Sequence, residues 1–150
     1  MIEDGRYKLY QGDCLEVMDG LISLGVKFDA IITDIPYGTT ACKWDSVIPL
    51  DEMWERLNKL IKLNRAIVLF GSEPFTSKLR ISNIKNYKHE WYWNKNNSGN
   101  ILCAKYMPLK VIENICIFSN GKCTYNPQMI KRTEKEEKEF ISKRGKNHTT

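Results

Sequence analysis

Asp34-Ile35-Pro36-Tyr37-Gly38 sets a carboxylate, a proline-stiffened turn and an aromatic ring side by side without a gap. A carboxylate accepts hydrogen bonds, proline fixes φ and stiffens the chain, and an aromatic face can hold a planar group. The same residue types also make an ordinary strand-ending turn. The surroundings must decide between the two.

Immediately before this pentad lies Phe28 to Thr33, a run of apolar and β-branched residues that reads as a buried strand. Upstream, residues 7–12 read as a short strand and turn. Asp13 is a helix N-cap with Glu16 three residues on, and Leu15, Met18, Leu21 and Ile22 share one helical face up to Gly25. Downstream, residues 38–49 are a loop. Asp51 can cap a second helix with Trp54, Leu57, Leu60 and Ile61 on its face. Ala66 to Phe70 is a second buried strand, stopped by Gly71, and a third helical stretch begins at Ser72 or Pro74 and runs through Leu79. His89 to Trp93 and Asn114 to Ser119 read as further strands. Strand alternating with helix implies an α/β chain with a mainly parallel sheet and helices on both faces. In such sheets ligands bind beyond the carboxyl ends of strands, which is where the Asp34 pentad falls.

Several segments, in order, resemble amino-group DNA methyltransferases, which modify adenine N6 or cytosine N4. Ile32 to Gly38 resembles their D-P-P-Y catalytic motif, with Ile35 where the first proline usually stands. Tyr10 to Leu15 resembles the opening segment of members whose catalytic motif comes first. Ala66 to Phe75, His89 to Lys95 and Glu113 to Ser119 resemble the following strands, and Gly38 to Asp45 the loop of phage and prophage members. The likeness spans residues 7–128. It implies a Rossmann-like methyltransferase fold, a base flipped out of double-stranded DNA, and S-adenosylmethionine as methyl donor. The setting would be cytoplasmic, in a bacterial or phage-infected cell, as in restriction–modification.

The resemblance gives each residue of the pentad a role. The amino group of a base is conjugated with its ring and is a poor nucleophile. Asp34, with the main-chain carbonyl of Ile35, would accept its N–H bonds and draw the nitrogen toward a tetrahedral state for in-line attack on a methyl group. Tyr37 would hold the base by stacking, worth about 1–3 kcal/mol, and Pro36 would aim both. Asp13, Cys14, Asp34 and Pro36 would border the cofactor; for Asp13 a plain N-cap role is equally open. The acidic first residue favours adenine N6 over cytosine N4.

Family members also carry a glycine-rich F-x-G-x-G loop. The nine glycines here, at 5, 12, 20, 25, 38, 71, 99, 121 and 145, contain no G-x-G pair. The expectation is therefore a partial fold: residues 1–128 as the catalytic part, and 129–150 as a charged flexible tail or the start of target recognition. A second chain could supply the cofactor-loop half. The alternative function is a catalytically inactive DNA-binding or regulatory remnant. The missing G-x-G also argues against a dinucleotide enzyme.

Charge is consistent with a polyanionic partner. Residues 1–75 carry 8 Lys and Arg against 12 Asp and Glu, net −4; residues 76–150 carry 15 against 6, net +9. A basic half suggests nucleic acid, or simply a lysine-rich solvated surface. Lys43, Trp44, Lys78, Arg80 and Lys95 are the candidate DNA contacts, Trp44 either meeting DNA or packing its loop. Five cysteines without CxxC spacing disfavour a disulfide framework or zinc site. The two histidines, His89 and His148, do not suggest a metal site. No apolar run approaches the roughly 20 residues of a membrane span.

Overall fold

A computed structural model describes residues 2–146, with side-chain burial for residues 4–142. The last four residues of the expected tail, His148 among them, lie outside the described residues. The chain opens with a small antiparallel hairpin, β1 (Ile2–Asp4) and β2 (Tyr7–Leu9). Helix α1 (Cys14–Ser23) leads to β3 (Phe28–Thr33). Helix α2 (Leu50–Leu60), strand β4 (Ile61–Gly71), helix α3 (Phe75–Ser82) and strand β5 (Tyr87–Asn94) follow, then β6 (Ile112–Phe118) and helix α4 (Glu134–Lys146).

Four strands make one sheet in the order β3-β4-β6-β5. β3 and β4 pair in parallel, whereas β6 pairs antiparallel with both β4 and β5. Strands β3, β4 and β5 therefore run in one direction, and β6 is inserted between two of them in reverse. The mainly parallel sheet holds for strand direction but not for hydrogen-bonded neighbours. Each helical crossover returns the chain in the same direction. The link from β5 to β6 contains only a 3-10 turn at Ile101–Cys103, so β6 comes back antiparallel.

The core lies between the sheet and helices α2 and α3. Met53, Trp54 and Leu57 of α2 meet Phe75 and Leu79 of α3 over Ile67 and Leu69 of β4 and Phe118 of β6. Alternation along β4 explains the choice: Ile67, Leu69 and Gly71 are buried, while Val68 and Phe70 on the other face are only partly covered. The helices that pack on one another, α1 on α2 and α2 on α3, form a row rather than two layers. Trp54 closes the core with a tilted contact to Phe118 at 4.7 Å, and its indole N–H donates to Ser82 Oγ at 2.8 Å. Replacing Ser82 with alanine strands that N–H in the core. We expect about 1–3 kcal/mol of lost stability in urea unfolding.

Several sequence expectations change in detail. β3 is not buried: its residues are exposed or half-buried, and Ile32 is 68% exposed. The physical reason is position, since β3 is an edge strand among the described residues. Helix α2 begins one residue before Asp51, with Pro49 at its N-cap and no side-chain cap bond. Ile61 belongs to β4 rather than to the helix face. Between Ile61 and Ala66 the β3–β4 ladder slips and Asn64 takes φ 60°, so regular pairing starts at Ala66. Residues 134–146 form helix α4 within the charged segment after residue 128, where the lysine- and glutamate-rich composition admits either a frayed helix or a tail.

Candidate active site

Asp34 follows the last residue of β3, at the carboxyl end of the three co-directional strands. Ile35, the residue that departs from the proline pattern, is 8% exposed and belongs to the core cluster. Its side chain anchors the turn from below, a constraint of a different kind from the ring of a proline. Pro36 and Tyr37 complete the turn. The Tyr37 ring lies on Phe75 of α3, centroids 5.3 Å apart and planes 23° from parallel. One ring face is thus backed by the core.

The Tyr37 hydroxyl donates to Asp34 Oδ1. Burial pushes the phenol pKa upward, and the hydrogen bond and charge of Asp34 push it further, with Glu113 and Asp45 adding to the effect. Tyr37 therefore stays a neutral donor. An incoming N–H donor competes with this hydroxyl at Oδ1, while Oδ2 accepts no bond among the described contacts.

The loop after the turn is organised by Asp45, which in the sequence stands out only as the last residue of the Gly38 to Asp45 stretch. Only 7% exposed, its carboxylate accepts from four consecutive amides. Tyr37 N and Gly38 N reach Oδ1 at 2.9 Å, and Thr39 N and Thr40 N reach Oδ2 at 2.8 and 2.6 Å. These bonds, the Gly38 amide first, hold its pKa down to about 2 against a usual 3.8. The signal in the sequence was an acidic residue a few positions beyond a Gly-Thr-Thr run, whose amides need an acceptor. Gly38 itself has φ 68°, and an added Cβ would meet Val47 Cγ2 at 2.7 Å. Gly38→Ala is expected to misplace Tyr37 and lower thermal stability, read as a drop in Tm with an altered near-ultraviolet Tyr signal.

Two clefts flank the turn. One, of about 250 Å³, is lined by Asp34, Pro36, Tyr37, Thr39, Thr40 and Trp44. Trp44 is 73% exposed, so its ring stands at the mouth, with Lys43 exposed beside it. The other, of about 330 Å³, brings Cys14 and Met18 of α1 together with Asp34, Pro36 and Met53. Three of the four expected cofactor residues meet there. Asp13 does not line it, because its carboxylate caps α1 by accepting from Leu15 N at 2.8 Å and Glu16 N at 3.3 Å. Burial pushes the Cys14 thiol up, aided by the Asp13 charge, and its side chain lines this cleft. The cleft wall is largely apolar apart from Thr33 and Asp34, and it fits the flat adenine of S-adenosylmethionine while the Asp34 carboxylate supplies a negative charge suited to its sulfonium. No cation lines it to face a carboxylate.

The remaining candidates are dispersed. Lys78 is exposed on α3. Arg80 turns inward, ion-paired with Glu90 and with Glu73 at 3.7 Å. Lys95, at the carboxyl end of β5, pairs with Glu113, whose charge acts on Tyr37. Lys95 is thus joined to the site through Glu113, while Arg80 is not brought to the turn. Among the described residues no group of three or more His, Cys, Asp or Glu could hold a metal, and no helix is long and apolar enough to cross a membrane.

No protein-family model and no curated protein sequence matches the chain. Solved structures do. M1.HpyAVI in its SAM complex aligns over 83% of this chain and 62% of its own, at 24% identity and TM-score 0.60. M1.HpyAVI alone aligns over the same shares at 23% identity and TM-score 0.60. TTHA0409 of Thermus thermophilus, named provisionally as a DNA modification methylase, aligns over 85% of this chain and 60% of its own, at 17% identity and TM-score 0.51. The chain has the fold of these proteins and spans less than two thirds of their length.

Proposed function

We propose that this chain is the catalytic part of a DNA methyltransferase that acts on an amino group, adenine N6 in preference to cytosine N4. The observation that carries the reading is convergence. Asp34, Tyr37 and Trp44 line one open cleft at the carboxyl end of β3, on a turn held by Ile35 and Asp45. The shared fold with M1.HpyAVI, which binds SAM, supports it. S-adenosylmethionine supplies an electrophilic methyl group when bound, with Cys14, Asp34 and Pro36 along its apolar side.

The chain's own residues then do the following. Tyr37 releases Asp34 and presents its free face to a flipped base, its other face being backed by Phe75. Asp34 and the carbonyl of Ile35 accept the amino hydrogens and localise the nitrogen lone pair. Trp44 and Lys43 meet the DNA at the cleft mouth, with Lys78 and Lys95 as further phosphate contacts. Water is kept from the base by the Tyr37 and Trp44 rings. The chemistry takes place where bacterial or phage DNA lies, in the cytoplasm.

The edge of β3, unpaired among the described residues and with Ile32 facing solvent, supports a further element of the reading. A polypeptide carrying a glycine-rich loop pairs there and completes the cofactor site, including the cation that the apolar cleft lacks. It is either continuous with this chain or a separate partner. Titration of S-adenosylmethionine into the chain by calorimetry tests this. Weak or absent binding alone, restored by a co-expressed glycine-loop segment, is the expected result; tight binding by the chain alone would contradict it.

A second reading has one observation in its favour. The Tyr37 hydroxyl occupies Asp34, as it would in a silent remnant that only binds DNA. Salt-sensitive DNA binding with no methyl transfer, even with the completing segment present, would select that reading.

A further inference from the structure

We propose that a groove at the opposite end of the sheet binds a single strand of nucleic acid, at a site separate from the Asp34 turn. β5 runs parallel to β3, so its amino end lies far along the sheet from the carboxyl ends where Asp34 sits. There Lys88, His89 and Trp91 of β5 face Lys122, Cys123 and Tyr125 across a cleft of about 690 Å³.

The local backbone builds both walls. Regular alternation would send Lys88 and His89 to opposite faces of β5. The β5–β6 register slips between Tyr87 and His89, leaving Lys88 as the extra residue of a bulge. Both side chains consequently line the groove together with Trp91, whose ring is 6.0 Å from that of His89. The facing wall is pinned to the β4 irregularity. Lys122 N donates to Asn64 Oδ1 at 3.0 Å, and Asn64 N donates to Asn120 Oδ1 at 3.2 Å. Gly121 packs so closely that an added Cβ would meet Asn64 Oδ1 at 2.0 Å. Lys122 and Tyr125 are thereby held opposite β5.

The chemistry of the lining selects the occupant. Two lysines and a histidine line the groove with no acidic residue, which suits an anion. Trp91 is 54% exposed and Tyr125 71%, so two large rings stand ready for planar groups. Regularly spaced phosphates joined to flat bases combine both features, and an unpaired strand leaves its bases free to stack. A duplex hides its base faces and could use only the lysines.

Fluorescence anisotropy of a labelled twelve-nucleotide single strand tests this, with a duplex of the same sequence and inorganic polyphosphate as competitors. Expected are tighter binding of the single strand than of the duplex, and poor competition by polyphosphate. Trp91→Ala should weaken binding about ten-fold by removing a stacking platform. Lys88→Glu with Lys122→Glu should weaken it and flatten its salt dependence. Arg6→Ala, an exposed cation in the turn between β1 and β2 and outside the groove lining, should leave it unchanged. Circular dichroism checks that each variant is folded. Absence of single-strand binding at low salt would overturn the proposal. So would unchanged affinity in both groove variants, a loss in Arg6→Ala equal to that in Trp91→Ala, or polyphosphate competing as well as the strand.

Discussion

Asp34→Ala should lower methyl transfer to DNA by roughly 10²–10³-fold and leave the fold standing. Asp34 lies after the end of β3, outside the core, and its carboxylate bonds only to the Tyr37 hydroxyl among the described contacts. Its removal costs the fold little. For the reaction the loss is large, because this carboxylate is the one charged acceptor lining the cleft beside the base-stacking ring, apart from Asp45, which is fully engaged with loop amides. Deleting one preorganised polar group of this kind typically lowers turnover by roughly 10²–10³-fold. Initial rates of label incorporation from methyl-tritiated S-adenosylmethionine measure it, with the completing segment present in both reactions. DNA affinity should change little. A parallel loss of DNA binding would mean that Asp34 holds the loop rather than the amino group. Tyr37→Phe is the companion variant. It frees Asp34 from its internal donor while keeping the stacking face and the contact with Phe75, and activity should be kept.

Asp45→Asn should be nearly as damaging although it changes a single atom. Both carboxylate oxygens of Asp45 accept, each from two amides. Asparagine turns one oxygen into an NH₂ donor that faces two N–H groups. The loop from Tyr37 to Thr40 must then open or shift. A displacement of about 1 Å in the positioning of reactive groups can cost roughly 10²-fold in rate. The pH behaviour follows from the same bonds. A carboxylate whose pKa falls on folding contributes stability above its unfolded value of 3.8 and loses it as the pH falls through about 2. Carbon-detected NMR of the Asp45 carboxyl should show a midpoint near 2 in the folded protein. A midpoint near 3.8 would mean that the four-amide cage is absent in solution.

The order of elements was legible in the sequence because hydrophobic periodicity and turn residues punctuate it clearly. The helix Cys14–Ser23, the strand beginning at Phe28 and the Ala66–Phe70 part of β4 follow from spacing alone. So does the α2 face of Trp54, Leu57 and Leu60. What periodicity cannot report is which strand lies beside which. The reversal of β6 depends on the lack of a helix between Asn94 and Ile112, and the exposure of β3 depends on its place at the edge. The Asp34 pentad was readable as a motif, and its neighbours fixed its context. Asp45 was far less so, since its importance lies in four backbone amides whose one trace in the sequence is an acidic residue beyond a Gly-Thr-Thr run. Arg80 illustrates the opposite case. Its type suggested a phosphate contact, but ion pairs with Glu73 and Glu90 draw it inward.

The most direct measurement is nucleoside mass spectrometry of DNA incubated with isotopically labelled S-adenosylmethionine, this chain and the glycine-loop segment that completes it. Labelled N6-methyladenine should form with the natural sequence and fall by roughly 10²–10³-fold with Asp34→Ala. If no methylated amino base forms, or if the label is incorporated equally with Asp34→Ala, the Asp34 turn is not the methyl-transfer site.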